Sequence, residues 1–214
     1  MLNVKTFPVN PLEVNCYVIS DTTKEACIID CGCFHQEEWE VIKQHIISEG
    51  LIVKHLLNTH FHFDHIFGLG YVYEDFQLQP EGSDSDIFLY EDLEQQISHF
   101  LIPNFPHKPL PPLGTPLHHN DIISFGNHTL KVIATSGHTP GGLCFYCQEE
   151  NCLFSGDTLF CGSIGRTDLP GGDYSQIIKS ITLHLTTLPP ETKVYPGHGP
   201  ATTIERETKY NSYL

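Results

Sequence analysis

Short apolar runs predict strands in both halves of the chain. Residues 4–8 and 14–20 alternate between apolar and polar positions and predict two paired strands. Residues 26–30 form a continuous apolar strand that ends in Asp-Cys-Gly, and residues 53–58 predict another buried strand. A second group of strands follows at residues 121–125, 129–134, 143–147, 152–155 and 193–195. Gly126-Asn127 lies between the first two of these and predicts a hairpin.

Helical spacing separates and follows these strands. Residues 35–49 place Trp39, Ile42, Ile46 and Ile47 on one side, and Gly50 ends the helix. Further helices are predicted at residues 66–73, 87–101, 174–187 and 203–210. No linker divides the pattern, so we expect a single domain over residues 1–214, built from two layers that each combine strands and helices.

A proline-rich stretch interrupts the middle of the chain. Its prolines are Pro103, Pro106, Pro109, Pro111, Pro112 and Pro116. Proline cannot continue a helix, so residues 103–116 are expected to form a rigid loop. Long irregular loops often serve function, which leaves two interpretations: a rim over a site or a surface connection.

Composition excludes several classes of protein. The 214 residues are 40% apolar, enough for a packed core, and carry a net charge of −15. Phosphate contacts need Lys and Arg, so the charge argues against nucleic-acid binding and favours a small-molecule partner. The N-terminus shows no signal-peptide pattern, and no window approaches 18 apolar residues. We therefore expect a cytoplasmic protein that does not bind membranes.

Eight cysteines are too sparse for a disulfide scaffold. Cys16, Cys27 and Cys152 lie in apolar strands and are expected to be core residues. Two closely spaced pairs allow an alternative, a zinc site of four thiolates. These pairs are Cys31 with Cys33 and Cys144 with Cys147.

The 14 histidines outnumber Lys and Arg together, and their spacing indicates a metal site. Thr59-His60-Phe61-His62-Phe63-Asp64-His65 follows directly after a predicted strand. This composition would produce H-x-H-x-D-H by chance only about 0.003 times. In extended backbone His60 and His62 point the same way, so Asp64 and His65 serve another direction or a neighbouring ion.

Three later segments repeat one arrangement, a ligand-type side chain in a glycine-rich loop after a strand. They are Gly137-His138-Thr139-Pro140-Gly141-Gly142, Phe154-Ser155-Gly156-Asp157-Thr158 and Tyr195-Pro196-Gly197-His198-Gly199. Glycine permits close approach of the backbone, and strand ends hold ligands precisely. Five imidazoles and two carboxylates suit zinc, and iron or manganese fit the same donor set.

With these motifs the chain resembles the metallo-β-lactamase superfamily, and within it the short, single-domain hydrolases of glyoxalase II type. The resemblance implies an α/β fold, a four-layer αβ/βα sandwich of two mixed sheets with helices on the outer faces. It also implies that His60, His62 and His138 bind one divalent ion. Asp64, His65 and His198 would bind a second ion, and Asp157 would bridge the two. The β-lactamases typically carry cysteine at the bridging position, so an aspartate there indicates the hydroxyacyl-thioesterase and phosphoesterase branches of the superfamily.

The resemblance implies metal-assisted hydrolysis of a thioester such as S-lactoylglutathione, with Asp64 and Asp157 as the catalytic carboxylates. Two alternatives stay open: a persulfide dioxygenase with one iron, which shares a Gly-Arg-Thr-Asp stretch like that of residues 165–168, and a lactonase or other small-ester hydrolase. Arg166 is either an anchor near the site or the partner of Asp168. Asp30 either orients a ligand histidine or caps its strand.

Overall fold

The structure is a computed structural model that describes residues 1–99 and 108–214, and its strands form two mixed sheets. The first sheet has the order β1-β2-β3-β4-β5, with β1 (Asn3–Val9), β2 (Val14–Ser20), β3 (Glu25–Ile29), β4 (Ile52–Leu57) and β5 (Pro80–Glu81). The second has the order β13-β12-β9-β8-β7-β6, with β6 (Ile122–Phe125), β7 (His128–Ala134), β8 (Leu143–Cys147), β9 (Cys152–Gly156), β12 (Lys193–Pro196) and β13 (Thr202–Thr203). A small hairpin joins β10 (Leu159–Phe160) and β11 (Ser163–Ile164).

Both sheets mix strand directions. In the first sheet β1, β2 and β3 are antiparallel, whereas β3, β4 and β5 run parallel. In the second sheet only β9 and β12 are parallel. Parallel neighbours end at the same edge, so the loops after β3, β4, β9 and β12 can bring their residues together there.

Helices cover the outer faces of the sheets. They are α1 (Gln36–Ser48), α2 (Phe63–Ile66), α3 (Leu69–Phe76), α4 (Ile87–Glu91), α5 (Leu93–His99), α6 (Tyr174–Ser180) and α7 (Ile204–Tyr210). One turn of 3₁₀ helix, Asp84–Asp86, precedes α4, and one wider π-type turn, Ile181–Leu185, continues α6.

The alternation of side chains along each strand produces four layers. Val18 and Ile28 face outward and pack with α1, whereas Ile19 and Ile29 face the second sheet. In the second sheet Phe145 faces the first sheet, while Cys144 and Tyr146 pack with α6 and α7. Each fully buried large apolar side chain contributes about 1.5–3 kcal/mol. The expected four-layer αβ/βα sandwich is confirmed.

Most predicted elements are present, and four differ. Ile47 was placed on the buried side of its helix but is 56% exposed, because α1 buries only Trp39, Ile42 and Ile46. Strand β4 was expected to be buried, yet only its last two residues are. The predicted helix over residues 66–73 is replaced by α2 and α3, which meet at Gly68.

The N–H of Gly68 accounts for that break, because it donates to the carbonyl of Cys31 (2.8 Å) and not to the preceding helical turn. A Cβ atom there would lie 2.7 Å from both the carbonyl oxygen and Sγ of Cys31, so the segment packs tightly against the end of β3. The helix predicted over residues 87–101 is likewise two helices, and its predicted end near Pro103 lies outside the described residues. Pro103 and Pro106 lie outside them too, whereas residues 108–116 form a loop without helix, as predicted.

Candidate metal centre

The first histidine motif lies directly after β4 and is almost completely buried. His60 is 2% exposed, His62 is 6% exposed, and His65 is fully buried. His62 has extended backbone and precedes α2, so His60 and His62 point into the same space, with their rings 4.8 Å apart. The amide of Asn58 donates to the carbonyl of His65 (3.1 Å) and closes the loop.

The loop between β7 and β8 brings His138 to the same place. Gly137 has φ +139°, and a Cβ atom there would overlap the backbone of Ile177. His138 Nδ1 lies 2.7 Å from the carbonyl oxygen of Arg166 and donates a hydrogen bond to it. That bond leaves Nε2 as the atom facing the site, where it lies 2.8 Å from Nδ1 of His62.

Asp157 and His198 complete the group from the ends of the parallel strands β9 and β12. Nε2 of His65 lies 3.4 Å from one carboxylate oxygen of Asp157, and Nε2 of His138 and of His198 each lie 3.5 Å from the other. His198 Nδ1 donates to the carbonyl of Leu12 (2.9 Å), which directs Nε2 toward Asp64 (3.4 Å).

All seven residues predicted from the sequence therefore converge at one edge of the sandwich. Ligand-type atoms lie within 4.8 Å of one another in three groups, namely His60, His62 and His138; His60, His65 and Asp157; and Asp64, His65 and His198. Nε2 of His60, His62 and His65 and Oδ1 of Asp157 are buried without a hydrogen-bond partner. Buried polar atoms normally have partners, so these donor atoms fit a divalent metal ion.

The imidazoles of His60 and His62 form a part of the site in which the side chains are neutral. Burial and the neighbouring His138 ring lower the pKa of His62 to about 3. Burial and the surrounding imidazoles also hold the pKa of His60 well below its usual value. A neutral imidazole is the form that binds metal, so these two side chains need to lose no proton on metal binding.

The ionic part of the site, formed by His65, Asp157 and His198, shows the opposite shifts. Burial by itself would lower the pKa of His65, but three surrounding carboxylates, Asp157 foremost, raise it well above its usual value. Burial by itself would raise the pKa of Asp157, but the neighbouring imidazoles, His65 foremost, lower it. The pKa of His198 is raised despite burial, because Asp64 accepts its hydrogen bond. Metal binding therefore competes with protons more strongly at His65 and His198 than at His60 and His62.

Asp30 supports the site from beneath. It ends β3 with φ +53°, a conformation that Asp adopts more readily than most residues. Its carboxylate accepts from the backbone N–H (2.8 Å) and hydroxyl (2.7 Å) of Thr59 and lies 3.1 Å from Nδ1 of His65. Of the two roles predicted for Asp30, the contacts favour orienting a ligand histidine.

Asp86 has a comparable position that the sequence did not reveal. It is fully buried, and its carboxylate accepts from the Thr139 hydroxyl (2.7 Å) and the Gly141 N–H (2.6 Å). The backbone N–H of Phe61 lies close enough to this carboxylate to lower its pKa. Burial raises the pKa of Asp86 although these bonds oppose the shift. Asp86 thus joins the loop of His60 and His62 to the loop of His138, but in sequence it is only one acid in a polar stretch.

Arg166 and the cysteines lie apart from the ligand group. The guanidinium of Arg166 makes a bidentate, exposed pair with Asp168 (2.7 and 2.8 Å), and only its backbone carbonyl contacts His138. Cys31 and Cys33 lie 3.8 Å apart in the cluster under α1, whereas Cys144 lies on the opposite side of the molecule under α6. In the described part of the chain, none of the side-chain groups that could hold a metal ion includes a cysteine, so the alternative of a four-thiolate zinc site is wrong.

No helix within residues 1–99 and 108–214 combines the length and apolarity needed to cross a bilayer.

Comparison with known proteins agrees with this geometry. Residues 9–198 match the family described as the metallo-beta-lactamase superfamily. The chain is 36% identical over 218 residues to the hydroxyacylglutathione hydrolase GloC of Haemophilus influenzae, covering 100% of this chain and 98% of that protein. Two solved structures are also 36% identical to this chain. The BLEG-1 B3 metallo-beta-lactamase has a TM-score of 0.90, and the match covers 100% of this chain and 99% of that one. TTHA1623 in a di-iron-bound form has a TM-score of 0.86, and the match covers 99% of this chain and 100% of that one.

Proposed function

This chain belongs to the metallo-beta-lactamase superfamily and is a metal-dependent hydrolase, and we propose that it hydrolyses hydroxyacyl thioesters at a centre of two divalent ions. The observation that carries the proposal is the convergence of seven ligand-type side chains whose inward atoms are buried and unpaired. The similarity to GloC, a hydroxyacylglutathione hydrolase, supports a thioester of this kind, with S-lactoylglutathione as the first substrate to test.

The ligand assignment follows the grouping of the side chains. His60, His62 and His138 would hold one ion, and Asp64, His65 and His198 would hold the other. Asp157 lies 3.4–3.5 Å from ring nitrogens of both sets, which suits a carboxylate shared between the ions. Zinc suits these donors, and the similarity to the di-iron TTHA1623 makes iron the main alternative.

When bound, two such ions lower the pKa of water toward neutrality and polarise the substrate carbonyl. The chain itself supplies position and proton handling. Asp64 is 7% exposed, and its Oδ2 lies 3.4 Å from Nε2 of His198 and 3.8 Å from Nε2 of His65. The nearby imidazoles, His65 foremost, lower the pKa of Asp64 against the effect of burial, so it is ionised at neutral pH. As a carboxylate, Asp64 orients the attacking water and accepts its proton for transfer to the leaving thiolate.

We also propose that residues 1–214 act as one domain, because the two ends of the chain build the site together. Val14 bridges to His198, and the N–H of Asn15 donates to the carbonyl of Gly197 (2.7 Å). These contacts join the first sheet to the loop that carries the last ligand. Removing either end would therefore disrupt the second group of ligands.

Metal quantification beside a hydrolysis screen tests the proposed function. His60→Ala and His62→Ala should abolish both bound metal and thioester hydrolysis. His118→Ala is the matched control, because that side chain is 63% exposed and lies outside the three groups. Retained turnover in the two site variants would refute the proposal.

The same screen separates the alternatives. Two metal ions per chain with thioester hydrolysis is the expected result. One iron per chain with oxygen uptake on a persulfide would identify a dioxygenase, the alternative suggested by the Gly-Arg-Thr-Asp stretch of residues 165–168, whose Arg166 carbonyl contacts His138. Faster turnover of lactones or simple esters than of any thioester would identify a small-ester hydrolase on the same centre.

A further inference from the structure

A cavity of about 180 Å³ opens beside His62, one of the proposed ligands. Its apolar lining consists of Phe88 and Leu89 of α4 together with Leu169 and Pro170. Pockets that bury drug-sized ligands enclose about 300–1,000 Å³, so this cavity is a small one. The cavity therefore has room for a short chain attached to the reacting carbonyl, and not for a tripeptide.

No permanent positive charge lines this cavity. None of its described lining residues is Lys or Arg, and the sequence of residues 100–107, FLIPNFPH, contains neither. Arg166 is the basic residue nearest in sequence to the Leu169 wall, and its guanidinium is held by Asp168. Lys108 is held by Glu74 at 2.7 Å. A carboxylate that entered the cavity would lose water without gaining an ion pair, which is unfavourable.

Asp92 adds a negative charge to the same lining. It follows α4, its side chain is exposed, and its carboxylate has no ion pair or hydrogen bond among the described residues. Glu91 precedes it in sequence and is also exposed, but does not line the cavity. The two neighbouring acids therefore differ in whether their charge reaches the cavity.

We propose that this cavity is the acyl pocket of the thioesterase, that it accepts short uncharged acyl chains, and that Asp92 makes it reject anionic ones. The inference rests on the proposed thioester hydrolysis. The assignment to the acyl half follows from size and charge, because the glutathionyl half carries two carboxylates and is a tripeptide. The thiol half must then lie outside the cavity, so discrimination depends mainly on the acyl group.

A matched pair of thioesters tests the pocket. S-butanoylglutathione and S-succinylglutathione share the thiol and the acyl length and differ in a terminal methyl or carboxylate. We expect kcat/KM to favour the butanoyl compound by about tenfold or more, given the repulsion from Asp92 and the unpaired desolvation. Asp92→Asn should raise kcat/KM for the succinyl compound by about fivefold and change that for the butanoyl compound less than about twofold. Asp92→Lys should reverse the preference, and the control Glu91→Gln should behave as wild type.

Binding of unreactive analogues keeps this test separate from catalysis. S-butylglutathione and S-(3-carboxypropyl)glutathione lack the thioester carbonyl, so their Kd values can be measured by calorimetry whether or not the protein hydrolyses thioesters. The carboxylate analogue should bind more weakly to the wild type, and Asp92→Asn should tighten its binding by about fivefold. Equal Kd values, or equal effects of Asp92→Asn and Glu91→Gln, would overturn the acyl-pocket proposal. Selective binding without hydrolysis of any thioester would support the uncharged pocket and refute the proposed reaction.

Discussion

Asp86→Asn is the perturbation that most directly tests how the ligand loops are held. Asn has nearly the shape of Asp but is uncharged, and one of its acceptor oxygens becomes an N–H₂ donor. The carboxylate of Asp86 accepts from the hydroxyl of Thr139 through Oδ2 (2.7 Å) and from the N–H of Gly141 through Oδ1 (2.6 Å). Asn keeps only one acceptor oxygen, so both donors lose a charged partner and at least one of them loses its acceptor.

The expected cost combines two opposing effects. Hydrogen bonds to charged groups contribute about 1.5–3 kcal/mol, and those to neutral groups about 1 kcal/mol. Weakening these two bonds destabilises the folded state, but removing a buried charge recovers part of that loss. We expect the free energy of unfolding of the metal-free protein to fall by about 2 kcal/mol, measured by urea denaturation.

The metal affinity provides the decisive measurement. Residues that orient metal ligands typically contribute 10- to 100-fold to affinity, and Asp86 joins the two loops that carry His60, His62 and His138. Competition with a chromophoric chelator should show a loss of about that size in Asp86→Asn. The control is Asp84→Asn in the same helical turn, because Asp84 is exposed and, among the described residues, its carboxylate pairs only with His118, at 3.7 Å. Reduced stability with wild-type metal affinity would refute the positioning role and leave Asp86 a purely structural residue.

Two further predictions concern the close approach of the last ligand loop and the junction between the sheets. Gly197→Ala should lower metal affinity and turnover by about tenfold or more, because the new Cβ would overlap the carboxylate of Asp157; unchanged affinity in chelator competition would contradict this packing. His55→Gln should lower the free energy of unfolding by about 1 kcal/mol at pH 6 and by less at pH 8.5. The reason is that only protonated His55 can donate both to Glu81 (2.8 Å) and to the carbonyl of Ser124 (3.2 Å). The pKa of His55 is raised in the folded protein, mainly by Glu81. The stabilisation from protonated His55 is therefore complete below its unfolded-state pKa of about 6.5 and is lost as the pH rises through its folded-state pKa. Urea titrations that show the same difference in unfolding free energy at both pH values would contradict this prediction.

Features governed by local periodicity could be predicted from the sequence. The continuous apolar run at residues 26–30 gives that strand two apolar faces, which is the pattern of a strand buried between a helix and another sheet. The first motif places two histidines on one side of extended backbone within three positions, and their rings do lie 4.8 Å apart. The prediction for Ile47 was wrong because helical spacing identifies the apolar face of α1 but does not determine how much of that face the sheet buries.

The chain alone therefore determined which side chains have the chemistry of metal ligands, since residue type and local spacing are properties of short segments. Only the tertiary structure decided which of them meet. Asp64 and His198 are far apart in sequence, and they lie 3.4 Å apart because parallel strands end at one edge of a sandwich. The same packing gave a buried role to Asp86 and a cavity position to Asp92. A lone acid shows no periodic pattern, so its environment depends entirely on the distant segments that fold around it.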